Sequence, residues 1–263
     1  MRSINRQNSV SKLRWFVRTV NARRENRMEE YLKKDFQDAV AFWDSALGAT
    51  DEEKQEILDT VEGNEWKDMV PSPKLFDAVE QVAKNGRFLD YGCGQGWGAL
   101  VAAKLGCTDV TAVDMAARAV DLLKVYAKAF KVDDVIKAEA IDEKWLASQP
   151  DESYDVFLCS NVIDVVPLEI AEDILDNAAR VLKKGGKAVI GLNFYMAPET
   201  AKEKGLETKD DRYLYDNGIL RLSLISDEEW TEIIGKRFTV EKLDHFAWPG
   251  ESKEGRRLFL LRK

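Results

Sequence analysis

The chain has 263 residues, of which 45% are hydrophobic and 33% charged, and its formal net charge is −8 at pH 7. A chain of this length can bury roughly 70–75% of its unfolded surface, which is enough for one domain of ordinary enzyme size with an appendage. No apolar run approaches the roughly 18 residues that span a membrane, so the sequence excludes a transmembrane helix.

The cysteine and histidine content argues against a disulfide framework and against a zinc site. The three cysteines, Cys93, Cys107 and Cys159, are odd in number and widely spaced, which favours a reducing compartment, and we expect a cytoplasmic protein. There is a single histidine, His245, and no Cys-x-x-Cys pair, so we expect no metal.

The first 27 residues are strongly basic. They carry eight Lys or Arg residues and one acid, Glu25, for a net charge of +7, so residues 28–263 carry −15. Such a segment is typical of a transit peptide, of a contact with nucleic acid or an anionic membrane, or of a solvated tail, and we expect the last. No apolar stretch with a small-residue cleavage site follows, which argues against a secretory signal.

Apolar residues then recur every three or four positions, which predicts an amphipathic helix from Met28 to about Gly48. Its apolar face comprises Leu32, Phe36, Val40, Trp43 and Leu47. Thr50 and Glu53 have the spacing of a capping box at the start of a second helix. We expect residues 28–70 to form a helical cap.

The rest of the chain, residues 71–263, alternates between helices and strands. A helix is predicted to begin at Ser72 and Pro73, which suit an N-cap and a first helical position. Further helices are predicted at 97–105, 116–130, 168–184 and 227–235, and strands at 87–91, 109–114, 134–140, 154–160, 187–194, 219–225, 238–246 and 256–261. Strands separated by helices indicate an α/β domain with a parallel sheet covered on both faces. Residues 197–217 are polar and break the alternation as an insert would.

A glycine-rich segment, Phe88–Gly98, lies between the first predicted strand and its helix, where open α/β sheets bind ligands. Its glycines occupy every second position from Gly92 to Gly98. A dinucleotide fingerprint needs a third glycine at the position of Trp97, and the Gly-Lys-Ser/Thr ending of a triphosphate-binding loop is absent. The spacing therefore disfavours both of those ligands.

Asp114 ends the second predicted strand, 22 residues after Gly92. A carboxylate at this place can accept two hydrogen bonds from a ribose diol. It can also cap the helix that follows, and the two roles are compatible.

A set of motifs occurs in a fixed order: Asp90–Gly98, Asp114, an acid on the third strand, Tyr154–Asn161 and Lys183–Lys187. This ordered set resembles the class I S-adenosylmethionine-dependent methyltransferases. The resemblance runs from about residue 72 to the C-terminus and leaves out residues 1–70 and 197–217. It implies a doubly wound, mostly parallel seven-stranded sheet of the Rossmann-like type, with S-adenosylmethionine as the cofactor.

The resemblance also implies which residues bind the cofactor. They are Asp90, Gly92, Gly94, Gly96, Asp114, Met115, Glu139, Ala140, Asn161 and Val162. Asp90 and the glycines would hold the methionine end, Asp114 the ribose, and Met115 the adenine ring, while Asn161 and Val162 would line the methyl-donor pocket. Glu139 stands where the family usually has an aspartate facing the adenine amino group, and Asp142 is the competing candidate.

Methyl transfer from a sulfonium needs the acceptor atom held in line with the methyl group and water excluded, so a dedicated base is optional. Asp164, four residues after Ser160, is the best candidate base, with a helix cap or a surface charge as the alternative. His245 is the second catalytic candidate, with a structural role as its alternative.

Aromatic residues are the candidate substrate contacts. Tyr195, Tyr213 and Tyr215 follow the fifth strand or lie in the insert, where they could grip the substrate or serve as surface and packing residues. We expect Phe36 and Trp43 to belong to the core of the N-terminal helix rather than to contact substrate.

The end of the fourth strand favours a small-molecule acceptor. Ser160–Ile163 lacks the Asn/Asp-Pro-Pro-Tyr/Phe signature of family members that methylate planar amides and nucleobase amines, and no cysteine stands where cytosine C5 enzymes keep their nucleophile. The acidic charge of residues 28–263 points the same way. We therefore expect methylation of a small molecule at O, N or C. The alternatives are an RNA or protein acceptor recruited by the basic N-terminus, and a cofactor-binding partner subunit without catalysis.

Overall fold

A computed structural model describes residues 33–61, 65–84 and 86–263. The expectations for the basic segment at residues 1–27, and for the first residues of the helical cap, lie outside the described residues.

The described helices and strands follow the predicted order. The helices are α1 (described over 33–47), α2 (Asp51–Thr60), a 3₁₀ helix (Glu65–Met69), α3 (Pro73–Val82), α4 (Trp97–Lys104), α5 (Ala117–Ala129), α6 (Trp145–Ser148), α7 (Leu168–Val181), α8 (Pro198–Glu203) and α9 (Asp227–Gly235). The strands are β1 (Phe88–Tyr91), β2 (Val110–Asp114), β3 (Ile136–Ala140), β4 (Tyr154–Ser160), β5 (Leu182–Leu192), β6 (Glu207–Lys209), β7 (Tyr213–Asp216), β8 (Ile219–Ser223), β9 (Thr239–Phe246) and β10 (Arg256–Arg262).

The main sheet has seven strands in the order β3-β2-β1-β4-β5-β10-β9. Strands β1 to β5 run parallel, and β10 pairs antiparallel with both β5 and β9. This confirms the predicted doubly wound, mostly parallel sheet. Because the strand order reverses between β1 and β4, the carboxyl ends of these two strands open a crevice suited to a ligand.

Helices cover both faces of this sheet and bury its strands. One core cluster packs α3, α4 and α5 against the sheet, and the other packs α6, α7 and α9 against the opposite face. Phe88, Phe157 and Trp230 are among the fully buried large side chains. The near-continuous burial of β1 and β4 is what a parallel strand covered on both faces requires.

The sequence signals at two helix starts are confirmed. Thr50 and Glu53 form a reciprocal capping box at α2, and the Ser72 side chain accepts a hydrogen bond from the Lys74 backbone at the start of α3. The predicted end of α7 was three residues too late. The helix ends at Val181 because the chain enters β5 at once, and Gly186 accepts a hydrogen bond from the Lys263 backbone.

The polar segment at residues 197–217 carries α8, β6 and β7, and β8 joins it in a second, antiparallel sheet of order β6-β7-β8. The predicted strand at 219–225 therefore pairs with this small sheet and not with the main one. In the part of the chain that the structure describes, no helix is both long and apolar enough to cross a bilayer.

Candidate active site

A cavity of about 420 Å³ opens at the carboxyl ends of the parallel strands. On one side the glycine-rich turn and the end of β2 form its wall. On the other side the wall consists of mostly apolar side chains from α1, the 3₁₀ helix, the segment that follows this helix, and the loop between β9 and β10. Those side chains are Phe36, Ala39, Val40, Trp43, Leu47, Met69, Pro71 and Trp248.

Two glycines of the turn have left-handed backbone conformations, and the surroundings of the first also exclude a side chain. Gly92 has φ +70°, and a Cβ at this position would lie 2.2 Å from Cγ2 of Val162, so no side chain fits. Gly94 has φ +51°, and a Cβ here would approach Cδ1 of Leu47 across the cavity at 3.6 Å. Both residues line the cavity with bare main chain. Gly96 lies behind them as the N-cap of α4.

Asp114 joins the turn to the start of α5. Its Oδ2 accepts a hydrogen bond from the Gly94 backbone at 2.8 Å, and its Oδ1 accepts one from the Ala116 backbone at 2.8 Å. Burial raises the pKa of this carboxyl group, and the backbone hydrogen bonds oppose that rise. Each oxygen keeps a further lone pair, so the carboxylate can accept vicinal hydroxyl groups from the cavity while it holds the turn.

Asp90 lies beneath the turn and outside the cavity lining. It is 3% exposed, and its Oδ2 accepts a hydrogen bond from the Ala99 backbone at 2.8 Å, near the start of α4. Burial raises the pKa of Asp90 to about 7, and the negative charge of Asp114 adds to the rise. The carboxyl group supports the turn from below.

At the adenine side predicted by the resemblance, Met115 lines the cavity together with Ile141. Glu139 and Ala140 pair with β2 residues and are exposed, outside the cavity lining. Asp142 is exposed and accepts a hydrogen bond from the Lys144 backbone. Ile141, which sequence reasoning missed, is thus the residue after β3 that reaches the cavity.

The end of β4 places Asn161 and Val162 in the cavity wall, as the resemblance implied. Asn161 has φ +57° and donates its backbone N–H to the Gly191 carbonyl, which turns the chain away from the sheet. Asparagine is one of the residues that tolerate this left-handed conformation.

The expectation for α1 was wrong for Trp43 and incomplete for Phe36. Both residues line the cavity, although Phe36 also packs in the main core. Helical periodicity identified the apolar face of α1, but an apolar face packs equally well on a core or over an open crevice. Here it covers the crevice.

Four contacts fix α1 over the cavity. Tyr215 donates its hydroxyl to Oδ2 of Asp35 at 2.7 Å in a buried contact. The Arg221 guanidinium lies 3.8 Å from the centroid of the Phe42 ring. Further hydrogen bonds are donated by the Gln95 side chain to the Leu47 carbonyl and by the Arg118 backbone to Asp44. The small sheet therefore holds the helix that closes the acceptor side.

Asp164 lies behind the cavity wall. It is fully buried, and its Oδ2 accepts a hydrogen bond from the backbone of Asn193, which does line the cavity. Burial raises the pKa of Asp164, and the nearby positive charge of Arg257 opposes that rise. Asp164 is therefore placed to position Asn193 rather than to touch a ligand.

The other predicted contacts lie away from the cavity lining. His245 pairs through Nε2 with Oδ2 of Asp227 at 2.7 Å. Tyr213 accepts a hydrogen bond from the Leu168 backbone at the start of α7, and Tyr195 is 42% exposed. Tyr215 contacts Asp35 of α1, the helix that covers the cavity.

The three cysteines are free and buried, and burial raises the pKa of the Cys93 and Cys159 thiols. Over the described residues, no group of three or more His, Cys, Asp or Glu side chains is arranged to hold a metal ion.

The chain is similar to known proteins in sequence and in fold. A family model described as "Methyltransferase domain" matches residues 89–190, which contain the glycine-rich turn, Asp114 and β4. Ribosomal protein L11 methyltransferase from Thermotoga neapolitana is 31% identical over 143 residues, which are 52% of this chain and 51% of that protein. The 27-O-demethylrifamycin SV methyltransferase from Amycolatopsis mediterranei is 28% identical over 65% of this chain and 55% of that protein.

The chain thus spans about half the length of the curated relatives it matches. Among solved structures, 1,6-didemethyltoxoflavin-N1-methyltransferase from Burkholderia thailandensis, with bound 1,6-didemethyltoxoflavin and S-adenosylhomocysteine, has a TM-score of 0.58 at 15% identity. That likeness covers 82% of this chain and 91% of the other and shows a shared fold.

Residues 89–190 are therefore similar to a methyltransferase domain, and the chain shares its fold with a solved methyltransferase structure that holds S-adenosylhomocysteine.

Proposed function

We propose that this protein transfers a methyl group from S-adenosylmethionine to an O, N or C atom of a small-molecule acceptor by in-line displacement. The observation that carries the proposal is the composition of the cavity wall. Of the described residues that line it, only Asp114 is acidic or basic, and it lies on the cofactor side. An apolar chamber next to a cofactor cradle suits an uncharged small molecule.

The cofactor supplies an electrophilic methyl group on a sulfonium. The residues of the chain bind and orient the two reactants. We propose that the main chain at Gly92 and Gly94 cradles the methionine end, with Asp90 beneath it, while Asp114 accepts the ribose hydroxyls and Met115 and Ile141 hold the adenine. Asn161 and Val162 then border the reacting atoms.

The acceptor wall acts by positioning the acceptor and excluding water. Phe36, Val40 and Trp43 of α1 cover the chamber, and the two candidate bases, Asp164 and His245, do not line it. Holding reactants in line contributes up to about 7–11 kcal/mol, so such a site can work without a base of its own. The acceptor atom is then expected to be nucleophilic without help from a charged side chain.

We further propose that residues 71–263 form the catalytic domain, with residues 28–70 as its cap and residues 197–217 as an insert that holds the cap. The contact between Asp35 of α1 and Tyr215 of β7 supports this division of roles.

Two measurements test the function. Calorimetric titration with S-adenosylhomocysteine tests the cofactor site, and we expect saturable binding by the full chain. Release of S-adenosylhomocysteine from S-adenosylmethionine is then followed with a panel of uncharged aromatic hydroxyl and amine compounds. Absence of binding would refute the whole proposal. Binding with turnover only on protein or RNA would refute the acceptor class.

A protein acceptor is the second candidate, because the L11 methyltransferase relative carries that acceptor in its name and the N-terminal 27 residues carry +7. Deleting residues 1–27 distinguishes a small-molecule acceptor from a macromolecular acceptor. Loss of methylation of a ribosomal protein extract, with cofactor affinity unchanged, would favour the macromolecular acceptor.

A further inference from the structure

Asn193 occupies a special place in the acceptor wall. It follows β5 directly, and Asn161 follows the neighbouring β4, where Ser160 pairs with Gly191. Both asparagines line the cavity, and so does Trp248 from the loop before β10. Asn193 therefore stands at the junction of the cofactor side and the acceptor side.

Two buried charges of opposite sign hold the main chain of Asn193. Its backbone N–H donates to Oδ2 of Asp164 at 2.6 Å, and its carbonyl accepts from Nε of Arg257 at 2.8 Å. Asp164 and Arg257 are both 0% exposed. Burying charged groups is costly unless they are paired and hydrogen-bonded, and here both groups bond the same residue, at its N–H and at its carbonyl.

The side chain of Asn193 is also held in one orientation. Its Oδ1 accepts a hydrogen bond from Nη1 of Arg256 at 2.6 Å. Arginine has donors only, so the amide must present its oxygen to Arg256 and its NH₂ group elsewhere. Arg256 is itself held by Glu251 at 2.7 Å and lies 3.4 Å from the centroid of the Trp248 ring.

The NH₂ group of Asn193 has two hydrogens, and it forms no hydrogen bond with the described residues. Its hydrogens are therefore available for a partner in the cavity. The side chains of Phe36, Trp43 and Trp248 around that space are aromatic, and no charged side chain of the described residues borders it on the acceptor side.

From this geometry we infer that Asn193 selects and positions the methyl acceptor, by donating an Nδ2 hydrogen to an oxygen atom of an uncharged, largely apolar and ring-shaped molecule. The inference rests on the proposed function and names the acceptor class for the same site. Asp164, Arg256 and Arg257 are positioning residues that act through Asn193.

A matched pair of probes tests the inference. The compounds 1-tetralone and tetralin have nearly the same shape and differ in one carbonyl oxygen, which can only accept hydrogen bonds. Their affinities are measured by titration of the full chain saturated with S-adenosylhomocysteine. We expect the chain to bind 1-tetralone about three- to tenfold more tightly, as one neutral hydrogen bond allows.

Replacing Asn193 should remove this preference. In Asn193→Asp the side chain keeps its shape but loses its donor, and in Asn193→Ala it loses the amide altogether. Both variants are expected to bring the affinity ratio of the two probes close to one, with the tetralin affinity and the S-adenosylhomocysteine affinity unchanged. Asn217→Asp makes the same amide-to-acid change in an exposed turn and is expected to keep the wild-type ratio.

Arg256→Gln provides an independent readout, because it frees the Asn193 amide to rotate without removing it. We expect an intermediate ratio. An unchanged ratio in the folded Asn193 variants, or no preference in the wild type, would overturn the inference, whereas failure of the wild type to bind S-adenosylhomocysteine would overturn the proposed function.

Discussion

The cofactor side and the acceptor side of the cavity are built by different means. The cofactor side is made mainly of main-chain atoms and one carboxylate, and most of its parts lie close together in sequence, from Gly92 to Met115, with Ile141 added after β3. The acceptor side is made of side chains, and its parts run from Phe36 to Trp248. The first needs an exact backbone path, and the second needs distant segments to be brought together.

This contrast explains how one fold can serve many acceptors. A turn held by backbone hydrogen bonds leaves little freedom to vary, whereas an apolar wall can change its shape by substitution without loss of the sheet. Mutations on the two sides should therefore have different effects. Those in the turn should affect folding and cofactor binding together, and those in the wall should affect the acceptor alone.

The largest effect is expected for Gly92→Ala. The new Cβ meets Val162 at 2.2 Å and takes a left-handed conformation, so the free energy of unfolding should fall by roughly 2–5 kcal/mol. Urea unfolding measures this loss. Gly205→Ala has a similar φ of +67° but no atom within 4 Å, so it should cost only about 1–2 kcal/mol. Equal losses of unfolding free energy in the two variants would show that the Val162 side chain moves to make room for the new Cβ.

Asp90 should make stability depend on pH. Its pKa is about 7 in the folded chain and 3.8 as a free group, so between these values the folded state holds a proton that the unfolded state has lost. The free energy of unfolding should fall as pH rises through this window and level off above it.

Asp90→Asn removes this titration. The stability of the variant relative to wild type should rise by on the order of 3–4 kcal/mol between about pH 4 and about pH 8. Urea unfolding at a series of pH values measures the difference. Asp121→Asn, an exposed acid on α5, is the control and should leave the profile unchanged. A difference that stays constant with pH would show that Asp90 is ionised at little cost.

Asp114→Ala should weaken S-adenosylhomocysteine binding by about 1.5–3 kcal/mol, because charge-assisted hydrogen bonds to the ribose are lost. Calorimetric titration measures the change. Affinity for an uncharged probe of the acceptor side should be less affected, which would sharpen the division between the two sides. An unchanged cofactor affinity would mean that the ribose is held elsewhere.

The smallest effect is expected for Tyr215→Phe, which removes the hydroxyl that holds Asp35 of α1. Backbone amides of residues 33–47 should exchange with deuterium about 5- to 15-fold faster, since a hydrogen bond of roughly 1–1.5 kcal/mol is lost. Tyr213→Phe makes the same change at a contact with α7 and should leave α1 exchange as it is. If α1 exchange is unchanged in both variants, the contact between Tyr215 and Asp35 does not hold α1.

The sequence predicted the strands and the glycine-rich turn around the cofactor side well because their signals are local. Alternating strands and helices, the glycine spacing and an acid at a strand end are each readable within a short window, and β4 was placed at its observed bounds. The acid on β3 was harder to assign from the sequence. Glu139 matches the family position, but the register of β3 leaves it exposed and brings Ile141 to the cavity.

The acceptor side could not be predicted from local sequence patterns. Periodicity showed that Phe36 and Trp43 share an apolar face, yet nothing in the sequence says whether such a face meets a core or a cavity. No sequence pattern pointed to Asn193 as a site residue. Its proposed role depends on contacts with Asp164 and Arg257, which are 29 and 64 residues away in the chain.

The sequence by itself determined the order of strands and helices, the glycine-rich turn and the acid that faces it, because backbone conformation and hydrophobic periodicity are set by neighbouring residues. Only the tertiary structure decided that α1 covers the crevice, that Asp164 lies behind Asn193, and that His245 pairs with Asp227 away from the cavity. These placements depend on packing between segments far apart in the chain, and no local pattern encodes them.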